Sequence, residues 1–218
     1  IISLTKFLTE KLCLYHHRHN SFVSYNCCGG KTMGSRALRK FTAFELLIIT
    51  MMAALGIAVK SVVVPLAQMI TGPLYIPGGV VAGGFYMLWI VLGYGLVNKA
   101  GTATLISIIQ ALLVIAVGFF GNQGAVSLIT YITPGVFVDI LYLIIRGGPN
   151  SPMRAFAGGV VANIAGTLMV SLLLFRLPLI PLLLSLTAAS LSGGFGGLIA
   201  YKLIIQLEKF SIINNGKL

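Results

Sequence analysis

Apolar residues run through this chain in long unbroken blocks. Six blocks lie at about residues 43–70, 77–97, 101–120, 125–145, 152–175 and 179–207, separated by short polar or Gly/Pro-rich joints. Continuous apolarity at that length predicts helices, because a membrane β-strand faces two environments and must alternate. At about 1.5 Å per residue, each block is long enough to cross a hydrocarbon core of about 30 Å. The pattern predicts an all-α integral membrane protein, a bundle of six transmembrane helices. Thr42 and Glu45 have capping-box spacing at the head of the first block, where each side chain satisfies a free backbone N–H. Pro65 is expected to kink or end that first helix. Small residues four apart, at Gly79/Gly83, Ala162/Gly166 and Gly193/Gly197, predict close helix packing in lipid.

Composition sharpens this picture. Of 218 residues, 57% are hydrophobic and only 9% charged, too few charges to cover a water-soluble domain. The net charge of +11 would suit a nucleic-acid partner, but the basic residues sit between the blocks and form no single patch. No nucleic acid is expected; the charges record orientation. Arg36, Arg39, Lys40, Lys99, Arg146, Arg154, Lys202, Lys209 and Lys217 fall on one side of an alternating six-helix path, against Arg176 on the other. Both termini are therefore predicted to face the cytoplasm.

Residues 33–218 read as one transmembrane substrate-binding domain, since every joint is short. Residues 1–32 read as a non-native upstream extension or a disordered segment. They contain all of the cysteines (Cys13, Cys27, Cys28) and histidines (His16, His17, His19) but no signal-peptide pattern and no standard zinc spacing. The stretch Cys28-Gly29-Gly30 before Met33 can be encoded by a purine-rich ribosome-binding sequence, which points to a natural start at Met33. Gly30-Lys31-Thr32 lacks the earlier glycine of a phosphate loop, where Tyr25 stands. No metal site and no cofactor are expected.

After Met33 the acidic residues are Glu45, Asp139 and Glu208, with no paired carboxylates, no nucleophile–base set and no metal cluster. An enzyme is not expected. Binding is. Lys60, Gln68, Tyr75, Gln110, Asn122, Gln123, Tyr131 and Asn163 are polar or aromatic groups that the topology gathers in the outer half and middle of the bundle, where they would line a pocket for a small solute. Five of them have an alternative. Lys60 would snorkel to the surface, Tyr75 and Tyr131 would join an interfacial belt, and Gln110 and Asn163 would bond between helices. Asp139, deeper toward the cytoplasm, either pairs with a neighbouring helix or touches ligand.

In the first helix, Met52-Ala-Ala-Leu-Gly-Ile-Ala58 combines with six helices and cytoplasmic termini in a way that resembles the substrate-binding S component of energy-coupling factor (ECF) vitamin transporters. The resemblance spans about residues 38–210. It implies that small residues of the first helix, here Ala54 and Ala58, dock on a transmembrane coupling subunit, which works with two cytosolic ATPases in the bacterial cell membrane. Residues 98–105, 118–124 and 134–139 are similar to the hydroxymethylpyrimidine/thiamine branch. That branch places carboxylates in its third helix, where this chain has Ile106, Ser107 and Ile108; a neutral or anionic vitamin is the expected ligand. The metal-importing members use an N-terminal histidine, and no histidine follows Met33. The alternative from another class is a self-sufficient oligomeric channel or secondary carrier.

Overall fold

The computed structural model describes residues 41–74, 78–118, 124–145, 151–175 and 178–215. Six α-helices are formed among them: α1 (Ala43–Thr71), α2 (Gly78–Val97), α3 (Thr102–Val117), α4 (Gly124–Ile144), α5 (Pro152–Val170) and α6 (Leu179–Asn215). A 3-10 turn (Gly72–Leu74) follows α1 and a π-helical turn (Ser171–Phe175) follows α5. By length and composition four of the helical segments can cross a membrane: Ala43–Thr71, Gly78–Val97, Pro152–Leu173 and Leu179–Lys209. The apolar helices Thr102–Val117 and Leu128–Ile144 are shorter. Residues 1–32, read above as a separate segment, lie outside the described residues, as do Arg36, Arg39, Lys40, Arg146, Arg176 and Lys217.

The first helix starts as expected. Thr42 N–H donates to Glu45 Oε2 at 2.8 Å and Glu45 N–H to Thr42 Oγ1 at 3.4 Å. The helix continues through Pro65 to Thr71, so the proline does not end it. Pro65 is exposed, so its ring lies on the outside of the helix, and the missing N–H removes one bond from a long ladder without stopping it.

Helix α2 is the hub, packed against α1, α3, α5 and α6, while the path α1–α3–α4–α5–α6 runs around it. It is buried along most of its length, from Val80 to Val97. Lipid tails are as apolar as leucine, so such burial must come from close packing rather than from escape from water. Glycine supplies it. Gly84 of α2 faces Gly196 of α6 so closely that a Cβ on either would meet the other helix's backbone. Gly159 of α5 meets Gly193 and Gly197 of α6 in the same way. The predicted Gly193/Gly197 pair is thus an internal helix contact. Ser192 secures the first crossing, accepting from Gly84 N–H at 2.9 Å and donating to Val81 O. Asn163 secures the second. Its Nδ2 donates to Val80 O at 3.1 Å and to Ala189 O at 2.8 Å, so one fully buried amide joins α5 to both α2 and α6.

Glu45, Lys99, Asp139 and Arg154 gather near one end. Lys99 Nζ lies 2.6 Å from Glu45 Oε2, tying the start of α1 to the joint between α2 and α3. That joint turns through Asn98 and Gly101 at positive φ (48° and 95°), a conformation natural to glycine and tolerated by asparagine. Asp139 of α4 then caps the first turn of α3 from outside the helix, accepting from Gly101 N–H at 3.2 Å, Thr104 N–H at 2.8 Å and the Thr104 hydroxyl. A carboxylate there satisfies orphan donors and meets the positive end of the helix dipole. Asp139 therefore has a structural occupation.

Arg154, counted above among the basic residues of one side, belongs to α5. It is 9% exposed and turns inward from the first turn of α5. Its Nη2 donates to Tyr142 O at 3.2 Å and approaches the Tyr94 hydroxyl at 3.4 Å. The guanidinium lies 4.6 Å from the Tyr142 ring centre and 5.5 Å from that of Tyr94. A cation at a helix N-terminus is unfavourable. The carbonyl from the last turn of α4 and two tyrosine faces offset that and the desolvation.

Two substitutions test this packing. Gly159→Val should drive a branched side chain into α6 and lower stability by about 1–3 kcal/mol, read as an earlier thermal unfolding midpoint in detergent. Asp139→Ala strands the Gly101 and Thr104 donors and should cost about 1–3 kcal/mol by the same measurement. Leu191→Ala, at an exposed site on α6, serves as the control and should change little.

Candidate binding cavity

Away from the Lys99 end, the bundle opens into a cavity of about 210 Å³. Helices α1 to α5 and the π turn supply its walls; α6 is not among the lining elements. Its apolar surface comes from residues such as Ile57, Val64, Met87, Ile90 and Pro134. Its polar groups are Lys60, Gln68, Tyr86, Gln110, Thr130, Tyr131, Thr167 and Ser171. An apolar chamber with a few convergent polar groups is the usual form of a small-molecule site.

Lys60 projects from α1 into this chamber. Its Nζ lies 3.9 Å from the Tyr131 ring centre and 4.8 Å from that of Tyr86, so two aromatic faces from α4 and α2 hold the ammonium by cation–π attraction. The Tyr86 hydroxyl donates to Gly79 O at 2.9 Å, which fixes its ring. Gln68 reaches from the end of α1 to the start of α2, where its Oε1 accepts from Gly78 N–H at 2.5 Å. Gln110 approaches from α3 over Gly56. A Cβ on Gly56 would run into Gln110 Nε2, so the glycine makes room for the amide.

Two irregular backbone features border the chamber. Pro134 in α4 has no N–H to offer the Thr130 carbonyl, and both residues are on the wall. At Ser171 α5 changes to its π turn, a distortion that often accompanies functional sites. The Ser171 side chain is 2% exposed, lines the cavity, and its hydroxyl has no hydrogen-bond partner.

Four of the residues singled out in the sequence, Lys60, Gln68, Gln110 and Tyr131, thus meet around one cavity. Asn163 is not on its wall; its amide joins three helices as described above. Tyr75, Asn122 and Gln123 lie outside the described residues. Sequence reasoning passed over Tyr86, Thr130, Thr167 and Ser171. Tyr86 carried the one usable signal, since its position seven residues after Gly79 stacks it two helical turns further along the same helix face. Ala54 and Ala58 lie together on the exposed side of α1, whereas Gly56 between them is buried. The three small residues therefore do not form one surface: two look outward and one looks into the bundle.

The family model described as "ABC-type cobalt transport system, permease component" matches residues 44–165, more than half of the chain. The chain belongs to this family. Among solved structures, this permease-family chain superposes on the crystal structure of an S-component of ECF transporter with a TM-score of 0.65. The identity is 18%, with 80% of this chain and 89% of that one covered. At that identity the likeness is one of fold, and the permease-family chain has the fold of an S component. No match was found among curated proteins.

Cysteine labelling tests whether the chamber is open to water. With Cys13, Cys27 and Cys28 replaced by serine, Thr167→Cys on the wall should react with a small water-soluble thiol reagent. Ser185→Cys, fully buried and off the wall, should not. Equal labelling of the two positions would contradict the cavity.

Proposed function

We propose that this chain is the substrate-binding S component of an ECF-type importer, which captures a vitamin or vitamin precursor and passes it on with energy from separate subunits. The observation that carries this reading is a chamber, in an S-component fold, that brings Lys60, Gln68, Gln110 and Tyr131 together. All six helices would cross the bacterial cytoplasmic membrane, the shorter α3 and α4 with local adjustment of the bilayer. Both termini would lie inside. The Lys99 and Lys202 end, with Arg36, Arg39, Lys40 and Arg146 in the sequence, would be cytoplasmic. The cavity end would then face outward, toward the solute.

The matched family's description concerns cobalt. In this chain an organic ligand is the better proposal, because the described lining residues include no histidine, cysteine or carboxylate. A transition-metal cation would need such donors. Single-ring, neutral or anionic molecules of the hydroxymethylpyrimidine kind suit the chamber's size and its aromatic walls. The partners would be a transmembrane coupling subunit and two cytosolic ATPases, with Ala54 and Ala58 on the exposed face of α1 as the docking point. The mechanism would lie in a change of cavity exposure on docking, not in chemistry.

Mass spectrometry of small molecules retained by the purified protein should find one compound at near-stoichiometric amount. Ala54→Trp or Ala58→Trp should weaken co-purification with co-expressed coupling and ATPase subunits roughly tenfold while leaving that compound bound. Uptake into liposomes by the chain alone, without ATP, would instead favour an independent carrier.

A further inference from the structure

Side-chain amides in this bundle differ in what already holds them. Asn163 donates from Nδ2 to Val80 O and Ala189 O, and Gln68 accepts at Oε1 from Gly78 N–H. Gln110 is the contrast. It is 6% exposed and lines the cavity, yet neither end of its amide has a hydrogen bond among the described residues. Burying an amide without partners is unfavourable, so a group left this way needs a reason.

Its position supplies one. On α1 the cavity wall runs from Gly56 to Gln68, about 18 Å at 1.5 Å per residue. Glu45, with Lys99 beside it, lies beyond the Gly56 end of that run. Gln110 packs over Gly56, where a Cβ would collide with its Nε2. The amide therefore stands at the deep end of the chamber, toward Lys99. Around it the wall is apolar, with Ile57, Met87, Ile90 and Pro134. An unbonded amide in such a place presents an acceptor oxygen beside a donor NH₂. The complementary ligand edge has an N–H donor next to an acceptor, the pattern by which asparagine and glutamine read the N6/N7 edge of adenine. Primary amides, lactams and amino-substituted nitrogen heterocycles all carry such an edge. The match involves no charge, and exchanging the two ends of the Gln110 amide leaves it intact.

We propose that the cavity selects a small ring compound with an N–H donor next to an acceptor, and that Gln110 reads this edge through two hydrogen bonds. The inference rests on the reading of the cavity as a solute site and specifies its substrate class. The apolar wall takes the body of the ring, whose other end lies toward Gln68. Gly56 is a positioning residue, since it leaves free the volume that the amide fills.

The test uses matched probes in which a methyl group removes the N–H donor while the acceptor stays: nicotinamide with 3-acetylpyridine, 4-aminopyrimidine with 4-methylpyrimidine, and 2-pyridone with N-methyl-2-pyridone. Binding to the purified full chain is measured by titration calorimetry, and any small molecule retained through purification is identified by mass spectrometry. The donor-bearing member of at least one pair should bind roughly tenfold or more tightly than its partner, or the retained molecule should carry the edge. Gln110→Met, similar in length but without the amide, should erase that preference or weaken the retained molecule by a similar factor. In ligand-free protein the same variant should unfold no earlier than the wild type, because it removes an unpaired buried amide. Equal binding within every pair that binds, a retained molecule without the edge, an unchanged preference in Gln110→Met, or earlier unfolding of that variant overturns the proposal and leaves the solute site intact. If no probe binds and no molecule is retained, the solute-site reading falls and this inference falls with it.

Discussion

Contact between helix backbones is the constraint on which the rest of this structure depends. Gly84 against Gly196, and Gly159 against Gly193 and Gly197, let α2, α5 and α6 approach until carbonyl oxygens occupy the space where a Cβ would stand. In lipid, apolar side chains gain little by leaving their surroundings, so dispersion at close range must hold helices together. α6 meets α2 at the first of these crossings and α5 at the others, and α2 lies inside the bundle with α1, α3 and α5 also packed against it. The cavity lies among α1 to α5.

The few polar groups divide into two populations. Near the Lys99 end they satisfy one another: Glu45 with Lys99, Asp139 with the donors of α3, and Arg154 with Tyr142 and Tyr94. Each removes an orphan donor or a lone charge that an apolar surrounding would penalise. Around the cavity, hydrogen bonds fix the positions of Tyr86 and Gln68 while Lys60 and Ser171 keep groups directed at the chamber. One end is closed by its own contacts, and the other holds the cavity. Such an arrangement suits a protein whose work is binding and whose energy would come from elsewhere.

Much of the fold was legible from local pattern. The six apolar blocks became six helices, with the Thr42–Glu45 box formed as expected. The ends differed most. The third helix stops at Val117, and the sixth extends to Asn215, because apolarity alone does not say where a helix leaves the hydrocarbon. Pro65 did not end α1, since a proline breaks one rung of the ladder and the flanking turns carry on. Site residues were legible when they were conspicuous: Lys60, Gln68 and Gln110 are polar within apolar runs. Ser171 and Thr167 were not, because a small hydroxyl in a helix commonly bonds its own backbone.

By itself the sequence determined that this chain is helical, apolar enough to span a membrane and nearly free of acidic groups, because these follow from residue type and period. Direction belonged to the tertiary structure. Ala54 and Ala58 face outward while Gly56, between them, faces Gln110; Arg154 turns inward although it flanks a basic joint. Asn163 binds helices together, whereas Gln110, also an amide in an apolar run, reaches a cavity. In these helices an apolar residue suits lipid and interior alike, so the pattern carries almost no rotational signal. The glycine crossings fix how α2, α5 and α6 face one another.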